Sequence, residues 1–158
     1  MIACLSIPYF VAAVERRAGR VGVEEPLAVG GQPWEARPVY AFSREVAGRG
    51  VHSGMSLRLV QLLSPNARFL PAAGPQYAAG SAEVVDVLAD FSPDIEPQEL
   101  WHSFPDSTIG TTAHSLYLPA RYCLDLNGLP QKEAAPFIQE MGRRVRGGFD
   151  GGGLRAGR

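Results

Sequence analysis

Cysteine and histidine are rare in this sequence, and together they could form a zinc site. The chain has two cysteines and three histidines, and Cys123, His102 and His114 lie near one another in the sequence. Thiolate sulfur and imidazole nitrogen are ligands that Zn²⁺ prefers, but they usually come in pairs about two to four residues apart. The spacing here matches no such pattern, so the sequence argues against a zinc site.

Two further groups of polar residues could carry chemistry. Ser6, His52 and Asp125 supply the side-chain types of a hydrolytic triad, but no nucleophile elbow or oxyanion-hole motif accompanies them. Asp86 and Asp90 lie one helical turn apart within a predicted helix, so their carboxylates could share a face. Such a pair on a surface helix is more often simply solvated than catalytic.

The composition is that of a single globular domain. The 158 residues are 46% hydrophobic, and the net charge of -1 gives no overall attraction to nucleic acid or membranes. Fourteen of the fifteen cations are arginine, and they are scattered along the chain, which favours genome composition over a phosphate-binding stripe as the cause.

Cys4 and Cys123 lie in apolar runs, so we expect buried thiols in a reducing compartment. With no signal-peptide pattern and no long apolar run, the chain is expected to be cytoplasmic.

Hydrophobic periodicity predicts a mixed α/β chain. Short apolar runs predict strands, and apolar residues three or four positions apart predict helices. Residues 98–114 show no clear period and read as an inserted loop or small hairpin. The predicted strands are 2–7, 26–31, 37–42, 67–72 and 115–128, and the predicted helices are 10–18, 43–50, 51–65, 76–91 and 132–146.

The order of these segments resembles the N-terminal half of the Y-family (UmuC-type) translesion DNA polymerases. The landmarks are "AVGG", "RPVYAFSREVAGRGVHSGMSL", "LSPNARFLPA", "FSPDIEP" and "CLDLNGL", in the family's order, over about residues 2–147. The resemblance implies a small, mainly antiparallel palm-like sheet with helices on one face and a helical fingers-like insertion. It divides the chain into a palm-like domain (1–10 and 72–147), a fingers-like subdomain (11–71) and a truncated, disordered tail (148–158).

The family's metal-binding acids are missing from the matching positions. Phosphoryl transfer needs two Mg²⁺ ions, which the family holds with one Asp on the first strand and an Asp-Glu pair on a neighbouring strand. The first position falls on Ser6, and a nearby position that is often acidic falls on Pro8. An ungapped alignment puts the pair on Trp101 and His102. We prefer the alignment that puts it on Ala120 and Arg121 and makes 98–119 an insertion, because "CLDLNGL" then reproduces the family's apolar alternation.

The nucleotide-binding positions have changed as well. The Tyr and Arg with which the family grips the β- and γ-phosphates fall on Arg44 and Ala47. The aromatic residue that rejects ribonucleotides falls on Val11, which is too small to clash with a 2'-hydroxyl. Metal binding, triphosphate binding and sugar selection are therefore expected to be lost together.

The resemblance is greatest to the inactive ImuB-type branch, which implies an accessory in damage-induced mutagenesis without a cofactor. It implies weak, non-specific contact with DNA and, in a full-length protein, binding to an error-prone replicative polymerase and a sliding clamp. One alternative is a divergent, Mg²⁺-dependent polymerase in which another acid replaces those that are lost; the candidates are Asp86, Asp90, Asp94 and Asp106. Another is an orphan fragment with no activity.

Overall fold

A computed structural model describes residues 1–97 and 120–150 of the chain. The helices and strands alternate irregularly along it. In chain order they are β1 (Ile2–Ile7), α1 (Phe10–Arg17), β2 (Leu27–Val29), β3 (Ala41–Phe42), α2 (Arg44–Ala47), α3 (Leu57–Leu63), β4 (Arg68–Leu70), α4 (Gly74–Leu88), β5 (Ile95–Pro97), β6 (Ala120–Asp125) and α5 (Gln131–Asp150).

The first sheet is antiparallel and has the order β1-β6-β5. Successive side chains of a strand point to opposite faces, and here one face is apolar. Ala3, Tyr122 and Leu124 lie on it and join a buried cluster with α4 and α5, to which α4 contributes Leu88 and α5 contributes Met141. The predicted fold class, a small antiparallel sheet with helices on one face, is confirmed.

Both long helices were predicted, but their observed ends differ from the predicted ones. α4 begins at Gly74 rather than 76, because Pro75 fits the first turn, where a backbone N–H has no partner within the helix. α5 continues to Asp150, past the predicted end at 146 and into residues 148–150, which the family resemblance assigns to the tail. The buried positions Met141, Val145 and Gly148 recur at helical spacing, so the packed face itself extends beyond 146.

A second sheet lies within the segment 11–71, in the order β3-β2-β4. β2 pairs antiparallel with β3 and parallel with β4. Its outer layer is made by α2 and α3, whose Val46, Leu57 and Val60 are buried in a second cluster with Ala28 and Phe42. The division into palm-like and fingers-like parts stays a prediction. Residues 98–119, the predicted insertion, and 151–158, most of the predicted tail, lie outside the described residues.

A buried carboxylate joins α1 to α4. Glu15 is 1% exposed, and its Oε1 accepts a hydrogen bond of 2.6 Å from the hydroxyl of Tyr77 on α4. Arg20 Nε lies 2.6 Å from the other carboxylate oxygen and supplies the compensating charge. A buried charge is tolerated only when it is paired and hydrogen-bonded, so this arrangement fixes how α1 sits against α4.

The buried hydroxyl of Tyr122 makes stability fall at high pH. Burial raises its pKa to about 12, so between about pH 10 and 12 the unfolded chain loses a proton that the folded chain keeps. Stability is full below the unfolded pKa and then falls by roughly 1.4 kcal/mol per pH unit for this group. We expect Tyr122→Phe to make the fall shallower by about that slope, measured by urea unfolding at several pH values.

The matched control is Ser81→Ala, since Tyr122 donates a hydrogen bond of 3.0 Å to Ser81 Oγ. Either change removes this bond and lowers the free energy of unfolding at neutral pH by about 1 kcal/mol. Only Tyr122→Phe removes the ionisable group, so Ser81→Ala keeps the steep alkaline slope. Equal slopes for the two variants would contradict the assignment.

Candidate functional site on the open face of the palm-like sheet

The face of the first sheet opposite the helices is open to solvent. Cys4, Ser6 and Arg121 are exposed on it, because they alternate with the inward-facing residues of β1 and β6. Glu96 of β5 is paired with Cys123 and lies on the same side. We call this surface the open face, and its polar residues are Ser6, Arg121, Glu96 and Asp125.

Ser6 and Arg121 are direct partners across β1 and β6. Arg121 Nε lies 3.4 Å from Ser6 Oγ, a long hydrogen bond in which the guanidinium donates. The register also pairs Ala120 with Ile7. Two of the three degenerate metal positions of the preferred alignment, Ser6 and Arg121, are therefore neighbours in space. The positions of the ungapped alignment, Trp101 and His102, lie outside the described residues.

These residues do not fit a pair of magnesium ions. Mg²⁺ is bound through carboxylate oxygens, whereas the open face offers a hydroxyl and a permanent cation at adjacent positions. Within residues 1–97 and 120–150, no three His, Cys, Asp or Glu side chains come together in a way that could hold a metal. Glu96 and Asp125, the acids of this face among the described residues, belong to no such group, and no step through Mg²⁺ can be derived from them.

The residues at the nucleotide-binding positions, Arg44, Ala47 and Val11, have different surroundings. The Arg44 guanidinium sits 5.7 Å from the centre of the Tyr9 ring, a cation–π arrangement at the exposed start of α2. Tyr9 has a left-handed backbone (φ 54°) in the turn between β1 and α1. Ala47 is half-buried against the second cluster, and Val11 is half-buried against the first.

Of the acids proposed as substitutes, Asp86 and Asp90 lie away from the open face. Asp86 and Asp90 belong to or follow α4, which packs on the opposite, apolar face of the sheet. Asp90 Oδ2 is 2.6 Å from Arg144 Nη2 of α5, so it serves as a link between the two helices. Asp94 precedes β5, and its backbone carbonyl accepts a hydrogen bond from the N–H of Asp125. Asp106 lies outside the described residues.

The triad and zinc hypotheses gain no geometric support. Asp125 accepts hydrogen bonds from both the backbone and the side chain of Asn127. His52 sits in a turn, with its Nδ1 3.0 Å from the carbonyl oxygen of Ser53. The two histidines of the zinc hypothesis, His102 and His114, lie outside the described residues.

The burial predicted for the cysteines was wrong. Cys4 is exposed and Cys123 is half-buried, because the register turns both towards the open face. Sequence reasoning also missed that they are direct partners, although the signal was available. If Ser6 faces Arg121 in an antiparallel pair, the residue two before Ser6 must face the residue two after Arg121.

Comparison with known proteins assigns the family. A family model described as impB/mucB/samB matches residues 5–145, which is most of the chain. The chain belongs to the impB/mucB/samB family, and its similarity to the Y-family (UmuC-type) polymerases is confirmed.

The related proteins are longer than this chain. DNA polymerase IV of Serratia proteamaculans is 35% identical over 100 residues, which are 63% of this chain and 28% of that protein. DNA polymerase IV of Dehalococcoides mccartyi is 33% identical over 99 residues, 63% of this chain and 25% of that protein. The matched residues thus make up about a quarter of the length of each of these relatives.

Solved structures agree with the fold. A Dbh ternary complex superposes with a TM-score of 0.69 at 19% identity, covering 92% of this chain and 38% of that one. DinB from Sulfolobus solfataricus gives a TM-score of 0.67 at 20% identity, with coverage of 94% and 38%. At such identities the likeness shows the fold alone. Among the described residues, no helix is both long and apolar enough to cross a membrane.

The pairing of Ser6 with Arg121 predicts the effect of a new carboxylate. Ser6→Asp places an acid beside the guanidinium, and an exposed ion pair of this kind stabilises a protein by about 0.2–1 kcal/mol. We expect the free energy of unfolding of Ser6→Asp to exceed that of Ser6→Asn, its uncharged control, at low salt. The difference should vanish near 1 M NaCl, where charges are screened over about 3 Å. A lower value for Ser6→Asp at low salt would contradict the register.

Proposed function

We propose that this chain is the palm-and-fingers part of a Y-family relative that has lost nucleotidyl transfer. On this proposal the protein is closest to the ImuB-type branch and acts as an accessory in translesion synthesis and DNA-damage-induced mutagenesis. It contacts DNA weakly and without sequence preference. In a full-length protein it works beside an error-prone replicative polymerase and the sliding clamp.

The observation that carries the proposal is the Ser6–Arg121 pair. In the preferred alignment these two positions are where the family requires carboxylates, and the register makes them direct neighbours. A two-metal centre stabilises the charge that develops on the attacking and leaving oxygens. A guanidinium at that place repels divalent cations, and a serine hydroxyl does not replace a bridging carboxylate.

The nucleotide positions support the same conclusion. Arg44 is engaged by the Tyr9 ring, and the small side chain of Ala47 offers no charge to a phosphate. Preorganised positive groups around a transferring phosphoryl group act as a unit, and removing one typically costs about 100-fold or more in rate. Losing the metal ligands and the phosphate clamp together leaves too little electrostatic stabilisation for catalysis.

The rival proposal is a divergent, active polymerase, and it is favoured by the fact that relatives 33–35% identical are named DNA polymerase IV. It requires other acids to hold Mg²⁺ in place of those that are lost. Asp86 and Asp90 lie on the helix side of the sheet, and Asp90 is already paired with Arg144. To reach the open face these two would have to pass through the sheet. Asp94 belongs to no group of three His, Cys, Asp or Glu among the described residues that could hold a metal, so the non-catalytic proposal is preferred.

Primer extension distinguishes the two. The chain, fused in frame to the thumb and DNA-gripping domains of a Y-family polymerase, is expected to extend no primer above background with Mg²⁺ or Mn²⁺. Ser6→Asp should not rescue it, because one acid beside Arg121 still cannot bridge two cations. Extension that is abolished by Asp86→Asn or Asp90→Asn would establish the divergent polymerase instead.

DNA binding by the chain itself is expected to be weak and strongly dependent on salt. The net charge is -1, so contacts must come from local arginines such as Arg121. Neutralising about six to ten phosphates loses roughly 1,000-fold or more in affinity between 50 and 200 mM salt. In fluorescence anisotropy we expect binding at low salt to disappear at physiological salt, equally for different sequences. Nanomolar affinity at physiological salt would contradict this prediction.

A further inference from the structure

The two cysteines of the chain face each other on the open face. One backbone hydrogen bond identifies the type of strand pair that they form. The N–H of Leu126 donates to the carbonyl of Met1 over 2.7 Å, so Met1 and Leu126 form a hydrogen-bonded pair of the antiparallel ladder. Hydrogen-bonded and non-hydrogen-bonded pairs alternate, and three residues further along each strand Cys4 and Cys123 form a non-hydrogen-bonded pair.

This type of pair has the geometry that a disulfide needs. In a non-hydrogen-bonded pair the Cα atoms are about 4.5 Å apart and the side chains are at their closest. Disulfides span Cα separations of about 4.4–6.8 Å. Cys4 and Cys123 also project from the same face, so the existing register already brings them opposite each other.

The surroundings of the two thiols differ. A hydrogen bond with Cys4, helped by partial burial, raises the pKa of the Cys123 thiol. Cys4 is exposed and Cys123 is half-buried, so their accessibility to a reagent in solution differs. This asymmetry gives the two sulfurs different roles: Cys4 meets an oxidant first and Cys123 lies behind it as the resolving thiol.

We propose that Cys4 and Cys123 form a reversible intrachain disulfide, a redox-sensitive modification site on the open face, with hydrogen peroxide as the oxidant.

The Cys4 thiolate attacks one peroxide oxygen, the O–O bond breaks, and the departing hydroxide takes a proton to become water. The resulting Cys4 sulfenic acid is attacked by the Cys123 sulfur. The S–S bond forms as the S–O bond breaks, and the departing hydroxide takes the Cys123 proton to become the second water. Two thiols are thus oxidised by two electrons and one peroxide is reduced. A dithiol reverses the reaction by exchange.

The disulfide would fasten the first strand of the chain to β6. It closes a loop from residue 4 to residue 123, and cross-linking residues so far apart restricts the unfolded chain strongly. The modification also lies two residues from both Ser6 and Arg121, so it alters the same surface that carries the Ser6–Arg121 pair. The inference concerns chemistry of the thiols and does not depend on the proposed role in translesion synthesis.

The experiment oxidises the whole, reduced chain with a slight excess of hydrogen peroxide. Because the chain has only two cysteines, thiol titration and intact mass report directly on the pair. We expect both thiols to disappear, the mass to fall by two hydrogen atoms, the protein to stay monomeric, and dithiothreitol to restore both thiols. Oxidation that stops at added oxygen atoms, disulfide-linked dimers as the main product, or two thiols that persist would each overturn the proposal.

Single variants test the assigned roles. In Cys123→Ser, oxidation should leave a sulfenic acid on Cys4 that dimedone traps, since the resolving thiol is gone. The oxidised natural chain should melt several degrees higher than its reduced form, and peroxide should give Cys4→Ser and Cys123→Ser no such gain. A midpoint that falls on disulfide formation would show that the pair does not fit an unstrained bridge and would contradict the geometry.

Discussion

The pairing register of β1 with β6 is the constraint on which this structure depends. It places Ala3 and Leu124 towards the helices and Ser6 and Arg121 towards solvent. The side-chain period of a strand is two, so a slip of one residue would expose the apolar set and bury an arginine. The apolar face is needed to hold α4 and α5, and this need specifies the register. The residues that alternate with this apolar set in β1 and β6 then make up the open face.

The two faces therefore tolerate change very differently. On the helix side, Tyr122 and Leu124 are fully buried, and any substitution must respect volume and hydrogen bonding. The same holds for Glu15, whose carboxylate needs both Tyr77 and Arg20. On the open face, Ser6 and Arg121 are direct partners and are exposed to solvent. On the non-catalytic proposal, a protein of this fold loses its metal ligands on that face and keeps its core.

The sequence predicted those features that rest on local pattern. Periodicity identified β1, α1 and the two long helices, and the order of the landmarks identified the family. Prediction from the sequence failed for features that depend on pairing between distant segments. The cysteines lie in apolar runs, but only the register decides which face they take. β5 has three residues and little pattern of its own, so it is defined by its partner β6. The contact of Tyr9 with Arg44 joins residues 35 positions apart, and Tyr9 has a left-handed backbone that non-glycine residues rarely adopt.

Direct detection of Mn²⁺ at the open face tests the central claim. In a spectrum of the ¹⁵N-labelled chain, a bound Mn²⁺ broadens nearby amide signals, and the double variant Ser6→Asp/Arg121→Glu, which places two carboxylates opposite each other, is the positive control. For the natural chain we predict no selective broadening of the amides around Ser6 and Arg121 as Mn²⁺ is added, and clear broadening there in the double variant. Selective broadening in the natural chain, either there or around Asp86 and Asp90, would show that a metal site survives and would contradict the non-catalytic account.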